Sequence, residues 1–357
     1  MLNYKRYFLS VFLFIGLLFV SSSSNATHNR AGEITYKWIG TYDPINGYTW
    51  TYEICIITYT KTSSTAADRP SLDSVYLGDG SPPVVFQRSL KEDLGNDISR
   101  NTYKYIYTYS GNGTFLIHFE DPNRNSGVVN IPGSVEVPFY VSTLLTVSQF
   151  VGANSSPVLT YPPIDRGCVD RVFIHNANAF DPDGDSLSYE LTVCRGLNGD
   201  PIPGYSYPVT SNSFSIDAIT GDLVWNTPIT ISGFAPWEYN VAFKIYEWRN
   251  GVNIGYVTRD MQIIIGNCTN NPPVIQPLND TCVVAGDTLR FEVTAIDPDG
   301  NRVDLSGNGG PFELPDSARM IPIITNNDTV VSEFFWPTNC SHIRTQPYYA
   351  QFRAEDI

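Results

Sequence analysis

Short runs in which apolar and polar residues alternate recur along most of the chain, separated by clusters of Gly, Pro, Asn and Asp. This period of two is typical of half-buried β-strands, and the spacing of amphipathic helices is nearly absent. The clearest strands are predicted at 48–59, 103–109, 114–119 and 252–265. Short strands at regular spacing predict an all-β protein built from β-sandwiches rather than an α/β enzyme fold.

Two of these strands flank the sequence Ser-Gly-Asn-Gly at 110–113. A short Gly/Asn connection between two β-rich runs predicts a hairpin between 103–109 and 114–119. The first run carries a tyrosine at every second position. Those rings belong either to an outward face suited to carbohydrate or protein contact or to a half-buried sheet face.

Five landmarks recur in the same order in the second and third parts of the chain. Among them are Asp-Pro-Asp-Gly at 181–184 and 297–300 and a later apolar run that contains Trp225 or Trp336. Fixed order indicates internal repetition. Residues 153–270 and 271–357 are therefore predicted to be two copies of one immunoglobulin-like module, preceded by a divergent β-sandwich domain at 27–152.

The second copy contains no counterpart of the strand-like run 256–265 of the first copy. A sandwich without its last strand would expose a sheet edge and part of its core. We therefore expect the second copy to be truncated at its C-terminus and the sequence to be a fragment of a longer protein.

The first 26 residues have the pattern of an export signal. Lys5 and Arg6 precede an apolar run at 8–20, and the small residues Ser24 and Ala26 follow it. This pattern predicts a secretory signal peptide that is cleaved after Ala26. The mature protein is expected to be secreted and displayed at the cell surface. No later apolar run is long enough for a membrane-spanning segment.

The chain is strongly acidic, with a formal net charge of −14. Cleavage after Ala26 removes two basic residues and no acidic residue, so the mature charge is −16. Such a surface repels nucleic acid and anionic membranes. The expected partners are an extracellular protein or a polysaccharide surface, and nucleic acid is excluded.

Six cysteines follow the export signal, which permits structural disulfides. Their spacing leaves fifteen possible connectivities open. None of the six cysteines forms a Cys-x-x-Cys pair, so neither a zinc site nor a thioredoxin-like site is indicated.

The repeated Asp-Pro-Asp-Gly sequence has two interpretations. Proline fixes one backbone angle, the first Asp accepts a backbone N–H and Gly takes positive φ, which together specify a tight turn without a metal. Clustered carboxylates also suit calcium, the one cofactor that the sequence suggests. The spacing is not that of an EF-hand, because Gly184 falls at the fourth position and Thr192 at the twelfth. The candidate calcium ligands are Asp181, Asp183 and Asp185 in the first copy and Asp297 and Asp299 in the second.

No catalytic constellation stands out. The four histidines have no metal-ligand spacing, and no nucleophile elbow, zinc-protease motif or P-loop occurs. Acidic pairs are numerous, and none is singled out as a glycosidase pair. Trp225 and Trp336 are interpreted as core residues in preference to sugar-stacking residues, because a repeat's shared tryptophan usually fills its shared core.

Several segments resemble a known group of proteins. Residues 27–36, THNRAGEITY, look like the mature N-terminus of large surface proteins of gliding Bacteroidetes bacteria, and 174–191 and 268–286 look like the same group. The resemblance implies export by the type IX system and a link to gliding motility, although the C-terminal sorting domain of that group is not in this sequence. The phrase Phe-x-Val-x-Ala-x-Asp-Pro-Asp-Gly also resembles PKD-like and cadherin-like immunoglobulin-type modules.

Three functions are compatible with these features. The first, which we favour, is a non-enzymatic surface protein whose modules space or present an adhesive region. The second is a carbohydrate-binding or carbohydrate-active extracellular protein with its site in 27–152. The third is a stalk without a ligand. The absence of a recognisable site in the sequence favours the first, since function has to be inferred from a site.

Overall fold

The computed structural model describes residues 29–64, 67–233, 235–344 and 346–356. Strands account for 55% of the structure and helix for 4%, which confirms the prediction of an all-β protein. The predicted signal peptide, residues 1–26, lies outside the described residues. Within the described ranges, no helix is both long enough and apolar enough to cross a bilayer.

The first part of the chain forms one strongly curved antiparallel sheet. Strands β2 and β3 make a separate ribbon, and the other seven follow the order β1-β4-β7-β6-β5-β8-β9. A 3-10 helix, Ser134–Glu136, precedes the last strand. The nine strands are β1 (Asn29–Trp38), β2 (Tyr42–Asp43), β3 (Gly47–Tyr48), β4 (Trp50–Lys61), β5 (Ser71–Tyr76), β6 (Val84–Asp93), β7 (Ile98–Tyr109), β8 (Gly113–Asp121) and β9 (Phe139–Val147).

The predicted hairpin between 103–109 and 114–119 is wrong. These segments lie in β7 and β8, and β6 and β5 separate the two strands in the sheet. The turn at 110–113 instead carries the chain across the core, where the rings of Tyr109 and Phe115 stack with their centroids 4.1 Å apart. Turn residues specify a reversal of direction, and they do not specify whether the flanking strands pair.

All seven strands of the curved sheet contribute side chains to one core. On β7, Tyr103 and Tyr109 are buried and Tyr105 and Tyr107 are half-buried against this core, whereas the intervening Ile106 is exposed. The tyrosine-rich face of β7 therefore packs inward against the core.

The second module is an immunoglobulin-like sandwich. One face contains the two-stranded sheet β10-β13 and the three-stranded sheet β12-β16-β15. The other face contains β14-β17-β18, with β11 parallel to β18. These are the A-B-E-D and C-F-G sheets of that fold. A 3-10 helix spans Leu197–Gly199. The strands are β10 (Val158–Leu159), β11 (Ile164–Cys168), β12 (Phe173–His175), β13 (Ala179–Phe180), β14 (Ser186–Thr192), β15 (Thr210–Ile216), β16 (Leu223–Pro228), β17 (Trp237–Arg249) and β18 (Val252–Gly266).

Both faces of the second module meet around Trp225, which is 1% exposed. Trp225 lies opposite Phe173 in the β12-β16 register, and its ring packs edge-on against Tyr239 of the other sheet. Met261 and Ile263 of β18 belong to the same core. The prediction that Trp225 is a core residue is confirmed.

The third module repeats most of this sandwich. The sheet β19-β20-β23-β22 reproduces A-B-E-D, and β21-β24 reproduces the C-F pair. Trp336 on β23 is buried, as predicted. A one-turn α-helix, Gly310–Glu313, and a 3-10 helix, Cys340–His342, lie in the loops. The strands are β19 (Val274–Ile275), β20 (Thr288–Ile296), β21 (Val303–Gly309), β22 (Arg319–Thr325), β23 (Thr329–Pro337) and β24 (Ala350–Asp356).

Strand β18 belongs to the sheets of both the first and the second parts of the chain. One edge pairs with β17 along almost its whole length, and the other pairs in turn with β9, β1 and β11. Because β1 and β9 are the two ends of the first sheet, β18 closes that sheet into a ring. The predicted boundary between 152 and 153 thus separates two cores but not two independent sheets.

Charged side chains are buried where β18 meets β1. The guanidinium of Arg259 lies 2.5 Å from the carboxylate of Glu33, and both side chains are almost fully buried. Next along the strand, Asp260 accepts hydrogen bonds of 3.0 and 2.6 Å from Arg124, and both are again buried. Pairing is required here because burying a lone charge costs several kcal/mol.

One disulfide is formed among the described residues. It joins Cys168, at the end of β11, to Cys268, two residues after β18, with a Cα–Cα distance of 5.6 Å. The bridge therefore ties the A-side strand to the last strand, unlike the B–F bridge of antibody domains. Four cysteines of the described residues are free: Cys55, Cys194, Cys282 and Cys340.

The buried pair Arg124–Asp260 yields the first prediction. Asp260→Asn should lower the free energy of unfolding by about 3–5 kcal/mol, because Arg124 would stay buried without a counter-charge. The matched control is Glu53→Gln, which removes the exposed partner of Lys104 and should cost less than about 1 kcal/mol. Urea denaturation of both variants measures the difference, and similar losses in the two would contradict the assignment.

Candidate metal centre at the repeated turns

The first Asp-Pro-Asp-Gly segment is a complete turn without a metal. Asp181 follows β13, and its Oδ1 accepts the backbone N–H groups of Asp183 and Asp185, both at 2.9 Å. Gly184 has a φ of 85°, the left-handed conformation that glycine adopts most readily. The turn interpretation is confirmed for this segment.

The three aspartates predicted to bind calcium do not converge on one point. Oδ2 of Asp183 instead accepts the backbone N–H of Ser155 at 2.6 Å. The group that does converge is Asp181, Asp185 and Glu247, whose ligand oxygens lie within 4.8 Å of one another, and all three residues are buried. Glu247 comes from β17, where it lies opposite Leu187.

Arg249 neutralises one carboxylate of this group. Its guanidinium donates to both carboxylate oxygens of Asp185, at 2.8 and 2.5 Å. It also donates to the backbone carbonyls of Val151 and Ala153, on the segment that leaves the first domain. Asp185 is therefore already paired with a cation, and the carboxyl groups of Asp181 and Glu247 remain.

Asp181 is held in a strongly perturbed state. Burial raises its pKa to about 7, and the neighbouring carboxylates of Asp185 and Asp183 act in the same direction. Its Oδ2 is buried and, among the described residues, has no hydrogen-bond partner. A buried carboxylate oxygen without a partner favours either a proton or a cation.

The pKa of the Glu247 carboxyl group is shifted in the same direction. Burial, together with the carboxyl group of Asp181, raises its pKa well above the ordinary value. Its two oxygens accept hydrogen bonds from Asn154 and Tyr36, at 3.0 and 3.2 Å. Carboxylate oxygens of this kind are the ligands that Ca²⁺ prefers, so the residues fit a hard divalent cation held mainly by Asp181 and Glu247.

The second turn repeats these contacts. Oδ1 of Asp297 accepts the N–H groups of Asp299 and Asn301, at 2.9 and 2.8 Å, and Oδ2 of Asp299 accepts the N–H of Asn271 at 2.6 Å. Oδ2 of Asp297 is again buried without a partner among the described residues. The two turns thus occupy equivalent positions in the two modules, as predicted from the shared landmarks.

A counterpart of Glu247 completes the correspondence. Asp356 lies opposite Val303 on β24 as Glu247 lies opposite Leu187 on β17. Asn270 donates to Asp356 as Asn154 donates to Glu247. Within the described residues, only the first turn has three carboxylates in one group. In the second turn Asn301 stands where the first turn has Asp185.

Sequence reasoning missed Glu247 because it lies far along the chain from the turn. The one available signal was the alternation, in which Glu247 falls in the same set of every-second positions as Val241, Phe243 and Ile245, where a strand that packs on a core rarely carries an acidic residue.

Comparisons with known proteins add little to this geometry. No protein-family model and no curated protein matches the chain. Among solved structures, a three-domain immunoglobulin fragment of the titin I-band is 11% identical, covers 86% of this chain and 87% of that chain, and has a TM-score of 0.19. The complex of Dpr2 with DIP-Theta is 9% identical, covers 85% and 92%, and has a TM-score of 0.17. TM-scores this low do not establish a shared fold. The assignment of an immunoglobulin-like fold therefore rests on the strand order given above.

The raised pKa of Asp181 predicts how stability depends on pH. Between its ordinary value of 3.8 and about 7 the folded state holds more protons than the unfolded state, so the free energy of unfolding should fall as pH rises through this window. Asp181→Asn should reduce that fall. The control Asp217→Asn should not, because backbone N–H groups lower the pKa of Asp217 and keep it ionised throughout the window.

Calcium should oppose the fall in the free energy of unfolding at higher pH, because it binds the ionised carboxylates. At a hundredfold excess over its dissociation constant it should add about 2.7 kcal/mol to the free energy of unfolding, and the effect should grow as pH rises through about 7. Asp181→Asn and Glu247→Gln should both shrink it. Melting curves with added calcium and with EDTA measure the shift, and coincident curves at pH 8 would leave the turn without a metal role.

The glycine of the turn gives an independent prediction. Gly184→Val should cost about 1–2 kcal/mol with or without calcium, because a β-branched residue tolerates a φ of 85° poorly. An added Cβ would meet nothing within 4 Å, so the loss measures backbone strain alone. Gly184→Asn is the control and should lose less, since Asn tolerates this conformation. Equal losses in the two variants would refute a backbone origin.

Proposed function

We propose that this chain is a non-enzymatic, secreted cell-surface protein whose modules space or present an adhesive region. The predicted signal peptide and the resemblance of 27–36 to surface proteins of gliding Bacteroidetes support display at the cell surface through the type IX system. A role linked to gliding motility belongs to the same proposal. The partner would be an extracellular protein or a polysaccharide surface.

The observation that carries this proposal is the sharing of β18 between two modules. A strand that pairs with both β17 and the ends of the first sheet leaves little freedom for the first domain to move against the second. The disulfide after β18 restricts the same strand further. A stiff arm of this kind suits a protein that holds a binding surface at a fixed distance from the cell.

The proposed calcium ion would reinforce the same junction. Arg249 connects the first turn to the carbonyls of Val151 and Ala153, and Tyr36 of the first domain donates to Glu247. A cation between Asp181 and Glu247 would therefore bind where the first domain meets the second. Its role would be structural.

A specific surface favours carbohydrate binding as the second candidate function. At one end of the first domain the ring of Tyr42 is 58% exposed and lies 4.7 Å from that of Tyr48, which stacks on Trp50 at 4.9 Å. Trp38 packs edge-on against Tyr48. Tyr42 is the exposed ring of this cluster, Trp38 and Tyr48 are half-buried and Trp50 is buried. An exposed aromatic ring suits the face of a sugar. This cluster lies within 27–152, where the carbohydrate alternative was expected.

Attachment assays separate these functions. Beads coated with the mature chain should adhere to cells or to immobilised extracellular polysaccharide. They should release no soluble sugar, because the proposed function is non-enzymatic. If Tyr42→Ala lowers adhesion to polysaccharide at least about tenfold, equivalent to about 1.4 kcal/mol, the aromatic cluster is the binding surface. The control Tyr76→Ala changes an exposed tyrosine elsewhere on the domain. Release of reducing sugars by the wild type would contradict the non-enzymatic proposal.

A further inference from the structure

The third module contacts the second through Arg353. This arginine of β24 donates to both carboxylate oxygens of Asp165 on β11, at 3.1 and 3.4 Å, and its guanidinium lies 4.6 Å from the centre of the Tyr161 ring. Nearby, Asn308 of β21 donates to the backbone carbonyl of Thr160 at 3.3 Å. The ion pair between Arg353 and Asp165 therefore lies in the contact between the two modules.

A buried histidine shares the same carboxylate. Nδ1 of His175, on β12, lies 3.0 Å from Oδ2 of Asp165, and the side chain of His175 is fully buried. Its ring packs edge-on against Tyr161, with the centroids 5.8 Å apart. Nε2 of His175 is also buried and, among the described residues, has no hydrogen-bond partner. His175 is thus connected through Asp165 to the arginine of the third module.

The charges around His175 favour its neutral form. Burial lowers its pKa below the ordinary value of 6.5, Asp165 opposes that shift, and the charges of Arg259 and Arg353 add to it. Arg259 is already paired with Glu33. The charged and titratable groups that face His175 come from β11, β18, β24 and the segment before β11: Asp165, Arg259, Arg353 and Tyr161.

A proton on His175 conflicts with this arrangement in two ways. It would place an N–H donor at Nε2 in a buried position without an acceptor, which is unfavourable. It would also leave two cations, His175 and Arg353, on the one carboxylate of Asp165. Separation of the third module would remove Arg353 and admit water to the histidine. Proton uptake and separation of the modules are therefore thermodynamically linked.

We propose that Asp165, His175 and Arg353 form a pH switch, which holds the third module against the second at neutral pH and releases it in mildly acidic solution. The first and second modules share β18 and would stay joined. The switch would thus change the direction of the third module while the rest of the arm keeps its shape. This inference goes beyond the proposed function and does not depend on the ligand.

Hydrogen exchange of the mature chain measures the opening of this junction. Between about pH 7.5 and about pH 5.5, protection factors across 159–163 and 308–311 should fall about tenfold. That is the change expected when a group with the ordinary pKa of 6.5 takes up one proton on opening. Small-angle X-ray scattering should show a larger radius of gyration at the lower pH. A melting curve would be less specific, because the raised pKa of Asp181 makes overall stability change in the opposite direction.

Three variants assign the effect to its residues. His175→Asn keeps a neutral donor near the position of Nδ1 and should reduce the fall in protection to less than about twofold. The control His118→Asn removes a half-buried histidine of the first domain whose pKa is also lowered by burial, and it should keep the full effect. Arg353→Gln should open the junction at both pH values, and it tests the switch even if His175→Asn does not fold.

Three outcomes would overturn the proposal. Unchanged protection and an unchanged radius of gyration in the wild type would show that protonation of His175 is not linked to separation of the modules. An equal fall in the wild type and in His175→Asn would assign the pH dependence to another group. A junction that stays closed in Arg353→Gln would show that the ion pair with Asp165 does not hold the third module.

Discussion

Two consecutive charged residues on β18 constrain most of this structure. Arg259 and Asp260 point to opposite faces of the sheet, because successive side chains alternate along a strand. Each needs an opposite charge, and Glu33 on one side and Arg124 on the other provide it. A slip of one residue would exchange the two faces and leave both charges buried without partners. The pairs therefore help to fix the register between β18 and the first sheet.

The same constraint explains the polar N-terminal motif. Arg30 donates to Gln262 of β18 at 3.0 Å, and Asn240 of β17 donates to the backbone carbonyl of Arg30 at 2.7 Å. Asn29 and Glu33 are buried as well. Residues that look like surface polar residues in the sequence are thus the interior of a junction between modules. The β17 and β18 partners of Arg30 and Glu33 lie more than 200 residues away along the chain, so no local pattern could have identified this role.

Local features of the fold were predictable from the sequence, and long-range pairings were not. The alternation of apolar residues predicted the strands, and the repeated turn and tryptophan placed the equivalent positions of the second and third modules. The pairing of β7 with β4 and β6, rather than with β8, depends on strands that are distant in sequence. Glu247 was missed for the same reason, because only the β14-β17 register brings it to Asp181. Predicting the turn therefore did not predict the ligand group around it.

The two copies of the turn differ in charge but share one mechanical contact. In each copy the third residue of the Asp-Pro-Asp-Gly sequence accepts the backbone N–H of the segment that enters the module, from Ser155 in one and Asn271 in the other. In the first copy Arg249 adds a cation between the turn and the preceding domain. In the second, Asn301 and Asn270 are hydrogen-bonded to each other, and Arg171 of the preceding module donates to the backbone carbonyl of Asn270. The repetition therefore preserves a hydrogen bond that holds the incoming chain to the turn. The extra acidic residue of the first copy, Asp185, is paired with Arg249.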